Sequence, residues 1–426
     1  MRVAYKLPLL LLFSAQAQAS GFALIEQSAS FQGYSYAGAA ASAADASTIW
    51  FNPAGMTQIK GNQAILGAHL IVPKAKFTNK GSTTPLSTAI TGSGEDGATI
   101  GLVPNIYWKG QYGAYDVGLG ISVPFGQEIK YSDKSVLRYH ATTTDLKSLN
   151  INPSIARKIN DKWSVGLGLN AQYVHLIMEN QVDVGTALGS PYTYSQKLDG
   201  HAKLTADSWA YGYNLGVLFK PAEQTHIGFS YRSQMSHHAK GNVKFTDINA
   251  AAASSFPNTG VSSTVNLPAS AMLSLTQGIS PNMTVLADAT WTGWKAYDSL
   301  VIHYDQAVGG KTQSSTNQHF KDVMRYSLGL KYQMSDRLKL RTGVAVDETP
   351  VPNAASRTPR TPDSTRKWVS AGFGYEFSPK MGVDVAYSHL FADRSDVNYN
   401  NGSNYILKGY YDSSVDIVSA QFRWNY

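Results

Sequence analysis

The chain has 426 residues, of which 43% are hydrophobic and only 15% charged, well below the roughly 25% charged residues usual in a soluble domain. Its mean hydropathy of −0.21 is nevertheless too polar for a bundle of membrane helices. There is no cysteine, which excludes disulfides and thiolate metal sites, and the formal charge of +7 is spread without a basic block, which argues against a nucleic-acid partner.

Residues 1–19 have the make-up of a secretory signal peptide. Arg2 and Lys6 form a charged start, Leu7 to Phe13 a short apolar core, and Ala17-Gln18-Ala19 a small-residue cleavage site. Removing the two basic residues lowers the formal charge to about +5. No later stretch is apolar for the roughly 18 residues that a spanning helix needs.

Residues 20–60 do not alternate and are rich in small side chains, which predicts compact turns and short helices packed inside something larger. Asp45 and Ser47 offer capping chemistry. Asn52-Pro53-Ala54 should stop any helix near Phe51, because proline disfavours helical geometry in the residue before it.

From residue 61 to 426 the pattern changes to alternating segments of about ten residues. Short turns are expected at Asn160-Asp161-Lys162, Lys220-Pro221-Ala222, Ser280-Pro281-Asn282, Ser335-Asp336-Arg337 and Ser378-Pro379-Lys380. Long polar loops are expected at 78–98, 246–263, 305–319 and 398–413. Within 324–332, 338–346 and 367–377, one phase is apolar (Tyr326, Leu328, Leu340, Val344, Val369, Phe373). The other is polar or small (Arg325, Ser327, Arg341, Gly343, Trp368, Ser370). Only a closed sheet satisfies every backbone group in hydrocarbon, so the apolar phase is assigned to lipid and the other to a lumen. Residues 415–426 place Val418, Ala420, Phe422, Trp424 and the terminal Tyr426 on one face, an outer-membrane insertion signal. The expected fold is an all-β membrane protein, an antiparallel transmembrane β-barrel of about fourteen strands in the outer membrane of a Gram-negative bacterium, with residues 20–60 either a mobile periplasmic extension or, as the family resemblance given next implies, an N-terminal hatch (plug) in its lumen.

Several motifs recur in an order that resembles the FadL/TodX family of outer-membrane transporters of hydrophobic compounds. They are Gly21-Phe22-Ala23-Leu24, Tyr36-Ala37-Gly38-Ala39-Ala40, Asn52-Pro53-Ala54-Gly55-Met56, Val123-Pro124-Phe125-Gly126, Leu267-Pro268-Ala269, Trp291-Thr292-Gly293-Trp294 and Pro362-Asp363-Ser364-Thr365-Arg366. The resemblance implies passive uptake of long-chain fatty acids, or of aromatic or aliphatic hydrocarbons, with an outer groove, a pocket above the hatch, and sideways release near a kinked third strand. On that basis either Pro124-Phe125-Gly126 marks the kink, with Asn52-Pro53-Ala54 packed against it, or Pro124 merely ends the strand at the outer rim. Proline removes a backbone donor there and glycine tolerates the bend.

A carboxylate headgroup needs a cation or several donors. The inward-phase candidates are Arg232, Arg325, Arg341 and Arg366, with Trp368 beside them. Asp288, Glu376 and Asp384 could instead neutralise the arginines in a network that holds the hatch. The outer groove is expected to draw on 176–204 and 246–266, including Leu176, Ile177, Leu188, Tyr192, Tyr194, Phe256 and Val261. The adjacent His237 and His238 point to opposite strand faces and make a poor metal site. No nucleophile motif accompanies them, so neither enzyme chemistry nor a cofactor is expected. The expected partners are a hydrophobic small molecule, outer-membrane lipid and lipopolysaccharide, and the barrel assembly machinery during biogenesis, with the protein itself a monomer. A general diffusion porin and a structural or adhesive barrel are the alternatives.

Overall fold

The computed structural model describes residues 21–426; the expected signal peptide at 1–19 lies outside them. Fourteen antiparallel strands close into a barrel. In chain order they are β1 (Gln63–Asn79), β2 (Gly101–Tyr112), β3 (Tyr115–Ser122, resuming at Gly126–Lys130), β4 (Thr143–Lys158), β5 (Trp163–Asp183), β6 (Asp199–Ala222) and β7 (Thr225–Arg232, then Met235–Thr246). There follow β8 (Thr259–Leu267, then Ser270–Ser280), β9 (Met283–Thr292, then Ser299–Val308), β10 (Lys311–Asn317, then Val323–Gln333), β11 (Leu338–Asp347), β12 (Arg366–Ser378), β13 (Met381–Ala392, then Ser395–Asn400) and β14 (Ile406–Asn425). The last strand pairs with the first from Gln63 opposite Asn425 to Asn79 opposite Gly409, which leaves no free edge at the seam.

In the membrane zone the phases separate as expected from the alternation. Trp368 is 1% exposed while its neighbour Val369 is 50% exposed, on the lipid side. Phe422, Trp424 and Tyr426 of the insertion signal face outward, and the Trp108 indole donates to the Tyr426 hydroxyl at 2.6 Å, both rings lying at the periplasmic rim.

Loop boundaries differ from expectation at the outer side. Residues 305–319 are largely a hairpin, with only Gly309-Gly310 between paired strands. Strand pairing also claims 259–263 and 406–413. Glycine, serine and threonine there mark strands that rise beyond the bilayer, where the outer surface meets water instead of hydrocarbon. The Lys220-Pro221-Ala222 turn falls two residues later, at Glu223-Gln224, after a bulge in β6.

Residues 21–60 fill the lumen. They form α1 (Ala29–Gln32), α2 (Ala39–Ser42), α3 (Thr48–Phe51) and a 3-10 turn at Pro53–Gln58. Ser28 caps α1 by accepting the Phe31 amide. The Asp45 carboxylate accepts the Ser47 amide and hydroxyl and the Ser30 hydroxyl. The helix ahead of Pro53 ends at Phe51, and the Asn52 side chain then accepts the Ala54 amide. The wall makes room for this backbone with glycine. A Cβ on Gly228 would lie 1.9 Å from the Ala40 carbonyl oxygen, and one on Gly216 would lie 2.0 Å from Asn52 Oδ1.

Candidate functional site

The hydrophobic phase of the strands inverts along their length. On the lower part of β5, Leu167 and Leu169 face lipid while Asn170 and Gln172 point inward. Above Gln172 the inward set is Val174, Leu176 and Met178, while Tyr173, His175 and Glu179 face out. Neighbouring strands follow suit with Leu204 and Ala206 on β6, Val243 and Phe245 on β7, and Val265 and Leu267 on β8. The outer third of the barrel therefore has a greasy interior, enclosing a cavity of about 370 Å³.

One cation stands at this cavity. Arg360, on the loop between β11 and β12, donates Nη1 to the Thr143 carbonyl at 2.7 Å and to Thr144 Oγ1 at 2.8 Å, and Nη2 to the Glu179 carbonyl at 3.1 Å. It takes part in none of the ion pairs among the described residues. Burial brings it down to about 10, still charged at neutral pH. Beside it, both ring nitrogens of His140 lack a partner, as do Thr358 Oγ1 and Gln318 Oε1. Burial, reinforced by the Arg360 charge, holds His140 down to about 3, so the ring is neutral.

Phe22 forms the cavity floor. Its ring meets Trp294 at 4.8 Å, Tyr297 at 5.4 Å and Phe125 at 6.1 Å between centroids. Beneath it a smaller space of about 120 Å³ is lined by Leu24, Phe51, Phe125, Met272, Arg232 and Arg325. Beside that space the wall is interrupted. Pairing of β2 with β3 ends at Ile106 opposite Ile121, and β3 breaks at Val123-Pro124-Phe125 before it resumes against β4. The breach is a cavity of about 380 Å³ lined by Asn105, Ile121, Val123, Leu149, Tyr173 and His175.

The hatch covers the backbone that this break frees. The Leu24 amide donates to the Pro124 carbonyl at 2.8 Å, the Gly126 amide to the Phe22 carbonyl at 3.0 Å, and Gln27 Nε2 to the Val123 carbonyl at 2.9 Å.

Residues 10–426 match the family described as outer membrane protein transport protein (OMPP1/FadL/TodX). The chain belongs to this family. A long-chain fatty acid transport protein of Escherichia coli K12 is 29% identical, with 91% of each chain covered. An outer membrane protein of Neisseria meningitidis serogroup B is 30% identical over 97% of this chain and 96% of its own. Among solved structures, a Pseudomonas aeruginosa FadL homologue shares the fold at a TM-score of 0.87 and 22% identity, covering 95% of this chain and 99% of that one. The toluene transporter TodX of Pseudomonas putida gives 0.67 at 17% identity, covering 89% and 94%.

This FadL/TodX member distributes the sequence-predicted residues over different places. Pro124, Phe125 and Gly126 lie at the strand break, but Asn52-Pro53-Ala54 does not pack there. Asn52 Nδ2 donates to the Ala40 and Val217 carbonyls at 2.7 and 3.0 Å, and Pro53 and Ala54 sit on Gly166 and Gly216 of β5 and β6. Phe22-Ala23-Leu24 takes the position at the kink instead, because its extended backbone can add to the interrupted ladder.

The four arginines divide in two. Arg341 pairs with Asp384 at 2.6 Å and donates to the Tyr34 hydroxyl at 3.0 Å, and Arg366 pairs with Asp363 at 2.6 Å. These two tie wall to hatch and wall to loop. Arg232 and Arg325 line the small inner space: Arg232 lies over the Trp50 ring at 3.7 Å, and Arg325 lies 5.1 Å from the centre of the Trp368 ring. Asp288 accepts from Thr290 at 2.7 Å and from Ser274, and Glu376 is held by Lys339 at 3.0 Å and by Arg423.

Of the groove residues, Leu176 and Phe256 line the large cavity. Ile177 is on the opposite face of β5 from Leu176, and Val261 packs against the lining residues Leu204 and Val243. Arg360 and His140 carried no mark within an alternating strand and were missed. A legible signal was the inversion of phase at Gln172-Tyr173.

Proposed function

We propose that the protein takes up long-chain fatty acids passively across the outer membrane, capturing them in the outer cavity and releasing them sideways through the break beside β3. The observation that carries this reading is an apolar cavity whose cation, Arg360, has no carboxylate partner. Each methylene removed from water is worth roughly 0.8 kcal/mol, so about ten buried methylenes can supply about 8 kcal/mol of capture. A lateral exit then passes the chain to lipid without returning it to water. The fatty-acid name of the Escherichia coli relative agrees with this choice. The toluene transporters among the structural neighbours favour a second reading, uptake of neutral hydrocarbons, for which Arg360 would be idle.

A general diffusion porin fits poorly with a lumen filled by residues 21–60 and sealed by glycine contacts. The chain acts as a carrier without catalysis or cofactor. Residues 1–19 are a cleaved leader, 20–60 the hatch and 61–426 the barrel, which works as a monomer in lipopolysaccharide-bearing membrane after insertion by the barrel assembly machinery. The test is to extract the purified protein, identify its bound ligands by mass spectrometry, and follow uptake of radiolabelled oleate in a knockout strain. Neutral hydrocarbons as the dominant ligand, with oleate uptake unchanged by the knockout, would overturn the fatty-acid reading.

A further inference from the structure

The outward face of β1 turns from apolar to cationic at the edge of the hydrocarbon band. Leu66, Leu70 and Val72 face lipid, the next exposed side chains are Lys74 and Lys76, and Lys80 follows just past the strand end. On β14 the change falls at the same height: Val418 faces lipid opposite Leu70, and Asp416 stands opposite Val72. The Tyr387 hydroxyl donates to Asp416 at 2.6 Å, a tyrosine placed where the outer aromatic girdle of a membrane barrel belongs. Lys74 lies two residues beyond Val72, about 7 Å further along the strand. Above it three strands bring cations together. The Lys80 amide donates to the Lys408 carbonyl at 2.8 Å, which sets Lys408 of β14 beside Lys80. Arg394, between the two parts of β13, lies over the Tyr410 ring at 3.5 Å, and Lys80 Nζ approaches the same ring at 5.9 Å. The carboxylates on this face are Asp412, opposite Lys76 and 3.3 Å from Arg394 Nε; Asp396, opposite Tyr410; and Asp96, paired with Lys76 by an isolated backbone bridge. Five cations therefore meet three carboxylates, and Lys74, Lys76, Lys80 and Lys408 enter none of the ion pairs among the described residues.

Like charges side by side on a strand pair repel, and an anion at this height offsets that repulsion. A dissolved ion is held weakly, because the lysines are exposed and salt screens them. A phosphate fixed to a lipid differs: acyl chains beside Leu66, Leu70 and Val72 keep it at the level of Lys74. Each basic side chain at such a surface is worth about 1 kcal/mol toward anionic lipid, and the Arg394 guanidinium offers phosphate a planar fork of donors. We propose that the outer face of β1, β13 and β14 binds the phosphorylated headgroup of an outer-leaflet glycolipid. Lys74 and Lys76 hold the phosphate nearest the hydrocarbon, and Lys80, Lys408 and Arg394 hold anionic groups carried further out on the sugars. Since β1 and β14 are the first and last strands, the bound polyanion ties the two ends of the barrel together across the seam. The site is independent of the fatty-acid reading.

The test uses the purified, delipidated full-length protein in nonionic detergent with EDTA. Binding of lipid A carrying both phosphates is measured by native mass spectrometry, together with the temperature at which the folded gel band is lost. The lipid should raise that temperature, while dephosphorylated lipid A should bind at least about tenfold more weakly and leave it unchanged. The quadruple variant Lys74→Gln, Lys76→Gln, Lys80→Gln, Lys408→Gln should weaken the phosphorylated lipid by a similar factor and abolish the rise. The triple variant Lys203→Gln, Lys240→Gln, Lys244→Gln, which removes three exposed lysines from β6 and β7, should do neither. Equal binding of the two lipids would overturn the proposal, as would wild-type binding by the quadruple variant or an equal loss in the triple variant. A rise with inorganic phosphate as large as that with lipid A would overturn it too, since the lipid would then be dispensable. If the quadruple variant shows no gel shift between boiled and unboiled samples, the double variant Lys74→Gln, Lys76→Gln decides by the same comparison.

Discussion

Replacing Arg360 with alanine separates the headgroup from the chain. The guanidinium is anchored by carbonyls of Thr143 and Glu179 and by Thr144 Oγ1, and no carboxylate among the described residues forms an ion pair with it. A ligand carboxylate that reaches it gains a charge-assisted hydrogen bond, worth about 1.5–3 kcal/mol. Losing it corresponds to roughly a tenfold to hundredfold weaker Kd. The methyl ester of the same fatty acid buries the same methylenes but carries no charge, so its affinity should fall little. Arg360→Ala also frees the loop that the arginine pins to β4 and β5, and that cost falls on acid and ester alike. The ratio of the two affinities is therefore the quantity to read. Arg360→Lys, a point charge without the planar fork, should give an intermediate ratio. Displacement of a fluorescent fatty acid from protein in nonionic detergent at pH 8 measures both. Equal weakening of acid and ester by Arg360→Ala would refute the assignment of Arg360 to the headgroup.

Three further outcomes follow from the geometry. Asn52→Ala removes side-chain bonds to Ala40, Val217 and Ala54 and should loosen the hatch by about 1–3 kcal/mol; faster protease cleavage within 21–60, with unaltered heat-modifiable gel migration, is the expected result, and unchanged protection would count against hatch anchoring by Asn52. Asp384→Asn leaves Arg341 buried without its partner and should cost about 3–5 kcal/mol in urea unfolding from lipid vesicles; a loss below about 1 kcal/mol would show that Tyr34 suffices. His140 is held at about 3 in the fold against 6.5 unfolded, so below pH 6.5 the unfolded chain binds a proton that the folded one refuses. Its contribution is present above pH 6.5 and is lost as pH falls toward 3, at up to about 1.4 kcal/mol per pH unit. His140→Phe should flatten that part of the stability curve, and an unaltered slope would contradict a neutral buried ring.

Much of the barrel was written in a period of two. Tyr326, Leu328, Val344 and Phe373 alternate with Ser327, Gly343 and Gly372 over whole strands, and hydrocarbon outside leaves no other solution. The closing strand was legible from Phe422, Trp424 and Tyr426 for the same reason. The upper barrel was harder to read because alternation persists while its meaning reverses. Lys74 and Lys76 face out there, and Ala75 and Phe77 face in. A composition count reads such segments as polar loops. The site was less legible still. Arg341 and Arg366 share the inward phase of Arg325, and only three-dimensional placement of Asp384 and Asp363 separates an arginine held in an ion pair from one that is not. Arg360 belongs to a loop, where no periodicity assigns direction.

The strand break and the hatch are two halves of one device. A proline in a membrane strand would leave carbonyls unpaired, at a cost that hydrocarbon does not relieve. Here the carbonyls of Val123 and Pro124 accept from Gln27 and Leu24, so the hatch acts as a surrogate strand on the inner side of the breach. On the proposed route, opening would exchange about three hydrogen bonds for bonds to water or ligand, at roughly 1 kcal/mol each, and a bound chain could drive that without an energy source only by as much as it binds the open form more tightly than the shut one. An open lumen with the same strand break would leave the carbonyls bare, and for that reason the kink at Pro124 and the extended Phe22-Ala23-Leu24 segment must occur together.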